Sequence, residues 1–573
     1  MPRLFVSGLV ILFAFSSAAA DEPLHKRVDQ LIATAAGEVE IAGRSDDAEF
    51  HRRVWLDLAG RIPTSDETRE FLNDDDANKR QRLIDERLAS PEYTRRMTEL
   101  FHAVLMERRS DNDEWSRFLR RSFERNLPWD QIAHALIRAD ADDADLRGAA
   151  FFLTARLVSE GAMAPVDVPG LTRDVGRLLA GVDLQCAQCH DHLTIDDYAQ
   201  KDFQGLHVIF ENTQTRRDVK FPAVSEKLMV QKKEFLSVFD QVPMLTGPVV
   251  PGGSEVEVAV FEKGEEYVAP PDRKTRSPGV PKFSPLKELA SGLAADSNDL
   301  FCRNIANRLW FVMMGRGLVE PLDLQHSDNP PSHPELLDLL AAGFASHGFN
   351  IKWFLRELAL TETYQRTSRL RTGSELPPIE SYATGLEKRL NAEQYFWSTL
   401  TAVGEFDHQT TLSLEAAADT AAESSTQNAD DSGQQPTAAQ PEPVRLTTLE
   451  SIQAGSEELT DLRELFIKTF ANAPKDPEVD FTPTVKSALF LMHEEKVLTL
   501  LKPRNGNLVD RLAQQSDAAI ADELFLAVLC RKPSEDDRKT VSKFLAKHPE
   551  RKTDAISQLV WALVTSTEFC VNH

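Results

Sequence analysis

Cysteine is scarce in this chain: five residues in 573. So few thiols exclude a disulfide-stapled scaffold, which packs cysteine densely into a small loop-rich fold. Beyond the first twenty residues there is no long uncharged apolar run. No transmembrane helix is therefore expected, since a span takes about 20 such residues. Basic charge is short relative to acid, 65 Lys and Arg against 90 Asp and Glu, which leaves a net charge of −25. A surface that acidic repels phosphate backbones and excludes nucleic acid as a partner. Glycine-rich phosphate loops, a G-x-S-x-G elbow and an H-E-x-x-H helix are also missing. The common nucleotide, serine-hydrolase and zincin chemistries have no footing here.

What is present begins at the N-terminus. Arg3 precedes an apolar run from Leu4 to Phe15, and Ala18-x-Ala20 stands before Asp21. Residues 1–20 read as a signal peptide cleaved after Ala20, which sends the protein to the periplasm or beyond. In that setting the sparing use of cysteine is informative. Cys302, Cys530 and Cys570 stand singly in apolar helical runs, as small buried hydrophobes do. Cys186 and Cys189 stand three apart in "GVDLQCAQCHDHL", followed at once by His190 and then His192.

Cys-x-x-Cys-His in an exported chain is the attachment pattern of c-type haem. Two thiols about one helical turn apart add across the two vinyl groups of the porphyrin edge. The next residue turns its imidazole to the iron. On this reading Cys186 and Cys189 carry the thioethers and His190 is the proximal ligand. Candidates for the opposite face are His207, Met163, Met229 and Met244, and an open face is a further option. Two other chemistries fit the same residues. Cys186, Cys189, His190 and His192 can contribute to a zinc site, or the cysteines can form a local disulfide. Asp191, Asp196, Asp197 and Asp202 surround the motif as a solvated acidic loop, or as groups that orient a histidine or bind a cation. Asp57, Asp323 and Glu357 read as structural pairing partners.

The remainder reads as mainly α. Gly60 ends "EFHRRVWLDLAG", and Thr64 with Glu67 forms a capping box. Ser90 caps a helix with Pro91 in its first turn. Residues 220–284 lose helical period and gain Pro and Gly; within them "EVEVAVF" alternates Val256, Val258 and Val260 as a strand does. Helices resume at 285. There "LFCRNIANRLWFVMMGRG" stops at Gly315, Ser332 and Glu335 read as a second capping box, Gly348 stops one helix and Asn350 caps the next. Trp310 and Trp353 are expected in the core. The domains expected are thus 21–219 with the Cys-x-x-Cys-His motif, a connector over 220–284, and 285–573. A tract over about 414–443, rich in Ala, Ser, Gln, Asp and Pro, interrupts the last of these. It is expected to be disordered, because it offers almost nothing to bury.

Several long stretches together resemble a known family. "HRRVWLDLAGRIPTSDETREFL", "LIDERLASPEY" and "GVDLQCAQCHDH" are similar to DUF1549, also called PSCyt2, a cytochrome-like domain. "NRLWFVMMGRGLVEPLDLQHSDNPPSHPELLDLLAAGFASHGFNIKWFLRELALTETYQRTS", "LNAEQYFW", "SALFLMHEEKVL" and "LVWALVTSTEFCVNH" are similar to DUF1553, also called PSD1. The chain resembles exported proteins of planctomycetes and related bacteria that join the two. The resemblance implies a cytochrome-like role carried by Cys186, Cys189 and His190. It also matches His192 to a second family histidine that plain cytochromes c do not require. Family members commonly follow that histidine with Pro-Phe and then Asp and Trp, where this chain has Leu193-Thr194-Ile195-Asp196. The family context points to a periplasmic redox partner or a secreted sulfatase-like protein, and to polysaccharide breakdown.

The expected function is an exported c-type haem protein for electron transfer or redox sensing. Its alternatives are a non-redox binding or scaffold protein with a structural metal or disulfide, and a metal-dependent hydrolase using His190, His192 and nearby aspartates. Composition alone yields one stability expectation. Deleting Ala416 to Gln440 leaves the thermal midpoint and the helical circular dichroism nearly unchanged, and a cooperative loss of helical signal on deletion would show the tract to be structural.

Overall fold

A computed structural model describes residues 22–158, 166–239, 242–370, 373, 375–406, 408, 457–476 and 485–573. The segment 1–20 read as a signal peptide, Met163 and the tract at 414–443 lie outside the described residues. Among the described residues the fold is mainly α, with only small two-stranded sheets beside the helices.

The helices start and stop where local chemistry directs. Thr64 Oγ1 accepts the Glu67 N–H at 3.2 Å, and Glu67 returns the favour to the Thr64 N–H at 2.7 Å. Ser90 accepts from the Tyr93 N–H, and Pro91 opens helix Pro91–Met106. Asn350 caps Ile351–Leu360 through the Trp353 N–H, and Gly315 ends Asp299–Met314 in the left-handed region. The Ser332–Glu335 box does not form. Helix Pro334–Ser346 has Pro334 in its first turn and His333 at the cap position, with no side-chain cap. Proline lacks an N–H and its fixed φ suits the first helical residue, so the start moves past Ser332.

Two helices end in a wider, π-type turn, Trp55–Ala59 and Gly176–Ala180. Both turns carry the same pattern, Arg-x-Val-x-x-x-Leu-Ala-Gly, at 52–60 and 173–181. Gly60 and Gly181 close them with φ of 71° and 69°, which only glycine adopts without strain. A Cβ on Gly60 would also lie 2.8 Å from Arg96 Cδ. Such turns are rare and concentrate at functional positions.

The β elements are hairpins: β1 (Thr213–Thr215) with β2 (Val224–Glu226), β3 (Lys233–Leu236) with β4 (Pro243–Thr246), and β5 (Tyr267–Ala269) with β6 (Val280–Pro281). A fourth pair joins β7 (Lys388–Arg389) to β8 (Val571–Asn572). "EVEVAVF" is not a strand. Glu255 bridges Val249 and the Val256 N–H donates to Pro248 O at 2.7 Å, but among the described residues 257–261 pair with no strand, and Val260 is on the surface. Alternation sets which side chains share a face; a ladder also needs a neighbour.

One apolar core gathers residues from both sides of the 220–284 segment, among them Val28, Phe50, Trp115, Phe203, Trp310 and Phe354. A second runs from Leu390 to Phe569 and takes in Leu56 and Ile62. Residues 50–62 therefore wall both cores. Trp310 is fully buried as expected. Trp353 is only half-buried and stacks on the His347 ring with centroids 3.6 Å apart. Truncating Trp310 to Ala should cost about 3–5 kcal/mol, whereas Trp353→Ala should cost about 1–2 kcal/mol; equal losses in chemical denaturation would overturn that ranking.

Candidate functional site

The turn Gly176–Ala180 leads through Gly181 directly into the cysteine–histidine stretch. Cys186–Gln188 forms one tight 3-10 turn, with the Cys189 N–H on Cys186 O at 3.4 Å. The turn is held from below. Ala187 is buried, Gln204 Nε2 donates to Gln188 O at 2.9 Å, and Arg173 Nη1 donates to Gln188 Oε1 at 2.7 Å. With its middle pinned to helices Val168–Val175 and Gln200–Glu211, the turn presents Cys186 and Cys189 outward. Both are free and exposed.

The two histidines have opposite ring states. His190 Nδ1 lies 2.6 Å from Asp191 O. A carbonyl only accepts, so Nδ1 carries the hydrogen, and in the neutral ring it is Nε2 that has the lone pair. This is how a metal-binding histidine is held: its other nitrogen donates to a carbonyl or carboxylate. His192 Nδ1 instead accepts the N–H groups of Ile195 at 3.0 Å and Thr194 at 3.3 Å. Its hydrogen is therefore on Nε2, which has no lone pair to give. His192 braces its own loop, and its N–H pairs with Tyr198 O at 2.9 Å. Among the described residues no three His, Cys, Asp or Glu side chains form a metal-holding group. The expected set of Cys186, Cys189, His190 and His192 is not gathered into one.

The acidic neighbours serve the backbone. Asp191 Oδ1 accepts the Gln200 N–H at 2.7 Å, and Asp202 accepts the Ala199 N–H at 3.3 Å. Burial raises the Asp202 carboxyl above the usual range, and the Ser327 N–H holds Asp197 below it. Asp57, Asp323 and Glu357 are paired as expected, with Lys388, with Arg177 and Arg308, and with His25.

The side chain against the His190 ring is Phe239, with centroids 4.7 Å apart. It belongs to the tip of the β3–β4 hairpin, which is fastened to the motif by the Val238 N–H on Cys189 O at 3.1 Å and by Gln200 Nε2 on Leu236 O at 2.9 Å. Register puts Leu236 opposite Pro243 and Phe235 opposite Met244. Phe235 and Thr246 face inward. Leu236, Leu245, Val238, Phe239 and Val242 are each half exposed or more, in one hairpin beside the two thiols. Apolar surface concentrated in this way marks a binding face. The sequence reading passed over it, although "EFLSVFDQVPML" is apolar enough to have signalled it.

The distal candidates among the described residues, His207, Met229 and Met244, are placed elsewhere or otherwise occupied. His207 meets Thr172 Oγ1 at 3.2 Å and stacks on Phe203, and burial pushes its pKa down to about 4. Met229 is core, and Met244 sits on the Phe235 side of the hairpin. On the other side of the loop the rings of His192, Tyr198 and His326 meet edge to face. They lead to a cavity of about 540 Å³ lined by Val249, Val250, Leu300 and Arg303.

Residues 27–215 match the family described as PSCyt2, a protein of unknown function (DUF1549). Residues 286–545 match PSD1, a protein of unknown function (DUF1553). No curated protein and no solved structure matches the chain.

The ring states separate the two histidines without any cofactor. His192→Ala removes the acceptor of two loop amides and should lower stability by about 1 kcal/mol, while His192→Asn retains much of it. His190→Ala should change stability by less than about 0.5 kcal/mol. Equal losses from the two alanine variants would refute the assignment.

Proposed function

Since the chain belongs to the proteins that join a PSCyt2 domain to a PSD1 domain, both of unknown function, we propose from its Cys-Cys-His turn that it is an exported c-type haem protein for electron transfer or redox sensing. The observation that carries this reading is the ring state of His190. Nε2 is bare and the ring is oriented by the Asp191 carbonyl, which is what one axial ligand requires and what His192 lacks. Cys186 and Cys189 are free, exposed and one tight turn apart, which suits a pair of thioethers. The exposed hairpin side chains Leu236, Val238 and Phe239 supply apolar cover on the His190 side. The donor set therefore fits the group: Cys186 and Cys189 would anchor it, and His190 would hold its iron. A bound haem would supply one-electron exchange between ferrous and ferric iron.

The pinned turn keeps the three residues from reorganising, and the helices beneath exclude water from its back. The signal-type sequence at 1–20 supports maturation outside the cytoplasm, where haem is joined to such motifs. A periplasmic redox partner, or a secreted sulfatase-like protein in polysaccharide breakdown, is the setting the family resemblance implies.

The test is the protein matured in cells that assemble other c-type cytochromes. It should carry a chromophore that survives denaturation and acid–acetone extraction. Cys186→Ala with Cys189→Ala should abolish attachment. His190→Ala should leave attachment but change the ligation spectrum, and His192→Ala should leave the spectrum close to wild type. Colourless protein at the unmodified peptide mass would reject the reading. A mass lower by two hydrogens would replace it with a disulfide, and bound zinc lost equally with either histidine would replace it with a metal site.

A further inference from the structure

The first residue of helix Gln200–Glu211 is tied to both sides of His190. The backbone N–H of a helix's first residue finds no partner within the helix, and Ala199 at the cap position offers no side-chain acceptor. Asp191 fills that role from nine residues upstream, its Oδ1 accepting the Gln200 N–H at 2.7 Å. The backbone carbonyl of the same Asp191 accepts from His190 Nδ1 at 2.6 Å. Asp191 therefore joins the His190 ring to the helix start, with its carboxylate on one and its main chain on the other.

The Gln200 side chain, 2% exposed, holds the other side. Its Nε2 donates at 2.9 Å to the carbonyl of Leu236, the last residue of β3. Just beyond Leu236, the Val238 N–H donates to Cys189 O at 3.1 Å and the Phe239 ring meets the His190 ring. The peptide that enters His190 is thus fixed by the hairpin, the ring is fixed by Asp191, and Gln200 fastens both. Because a carbonyl can only accept, the Gln200 amide is set with Nε2 toward Leu236. That leaves Gln200 Oε1 buried and, among the described residues, without a partner. An apolar side chain of similar length would avoid that cost. What the amide supplies in its place is the Nε2 donor to the hairpin.

We propose that Asp191 and Gln200 are positioning residues for His190, which together hold its imidazole in the form whose Nε2 carries the lone pair. Neither touches the group that Nε2 would bind. The proposal rests on the reading of His190 as an axial ligand, but the state of the ring belongs to the chain alone and is measured without a cofactor.

The test is long-range proton–nitrogen correlation on the full chain, labelled at histidine nitrogen and isolated free of haem. At about pH 8.5, above the usual histidine range, it reads the ratio of Nδ1–H to Nε2–H rings; the signal missing from His190→Ala identifies His190. The Nδ1–H form should dominate in the wild type. Asp191→Ala and Gln200→Met should each lower the ratio about three- to five-fold, the worth of one net hydrogen bond, and either serves if the other fails to fold. Asp191→Asn keeps an acceptor for the Gln200 N–H and should keep the wild-type ratio. Gln204→Met loses a comparable bond, that of Gln204 Nε2 to Gln188 O beneath the thiols, and should leave the ratio unchanged. In haem-loaded protein, Asp191→Ala and Gln200→Met should retain the covalent chromophore and shift its ligation spectrum. A wild-type ratio no different from that of free histidine would overturn the proposal. So would wild-type ratios in folded Asp191→Ala and Gln200→Met, or a loss in Gln204→Met as large as in Gln200→Met. Colourless matured protein would reject the haem reading and leave the ring result standing, whereas a chromophore beside unchanged ratios would do the reverse.

Discussion

The Asp57 side chain is buried where the two cores meet, and the surrounding chain brings four hydrogen bonds to its two oxygens. Its partners come from distant parts of the sequence: Tyr364, Lys388 beside the last turn of helix Asp299–Met314, and Asn572 in β8. Lys388 Nζ also lies near the carbonyls of Val312 and Met313, at 3.1 and 2.8 Å, where the negative end of that helix favours a cation. The β7–β8 pair places Lys388 opposite Asn572, so one strand pairing delivers both donors to one carboxylate. Arg52 and Arg53, just upstream, donate to the carbonyls of Phe569 and His573 at 2.8 and 3.2 Å. Removing any one partner would leave a buried group unmatched, a larger loss than the bond itself.

The same turn geometry is used twice. At 52–60 it aims Asp57 into the junction of the cores, and at 173–181 it releases the chain into the cysteine–histidine stretch. In both places a wider turn closed by a left-handed glycine changes the chain's direction over a few residues while the helix before it stays fully packed. The sequence pattern is only nine residues long and is mostly Leu, Ala and Val, which is why it hides among ordinary helix ends.

What the sequence made legible was local. Thr64, Ser90, Gly60, Gly315 and Asn350 act within a few residues of themselves, so their roles follow from spacing. Ser332 failed because Pro334, two positions on, controls the same helix start more strongly. "EVEVAVF" failed because a strand is a relation between two segments and no pattern in one of them supplies the other. At the site, the Cys-x-x-Cys-His spacing was legible. The difference between His190 and His192 was not, because it depends on how 194–198 folds back on the ring. Phe239 was equally hidden, since its meeting with His190 is made by a hairpin about fifty residues downstream. Arg96 reads as one more surface arginine in "YTRRMTEL" until tertiary packing encloses it.

The span between Asp57 and Asn572 is 515 residues. Closing so long a loop is slow and gives no reward until both ends are present. During synthesis, Arg52, Arg53 and Asp57 in the 50–62 wall therefore wait for their partners among residues 364–388 and 568–573. Had that wall been purely apolar, it would have waited as a sticky surface, open to wrong partners. Arg52, Arg53 and Asp57 make it a wall that water can hold in the meantime. The charge that is expensive in the finished interior is what keeps the nascent chain apart from its neighbours.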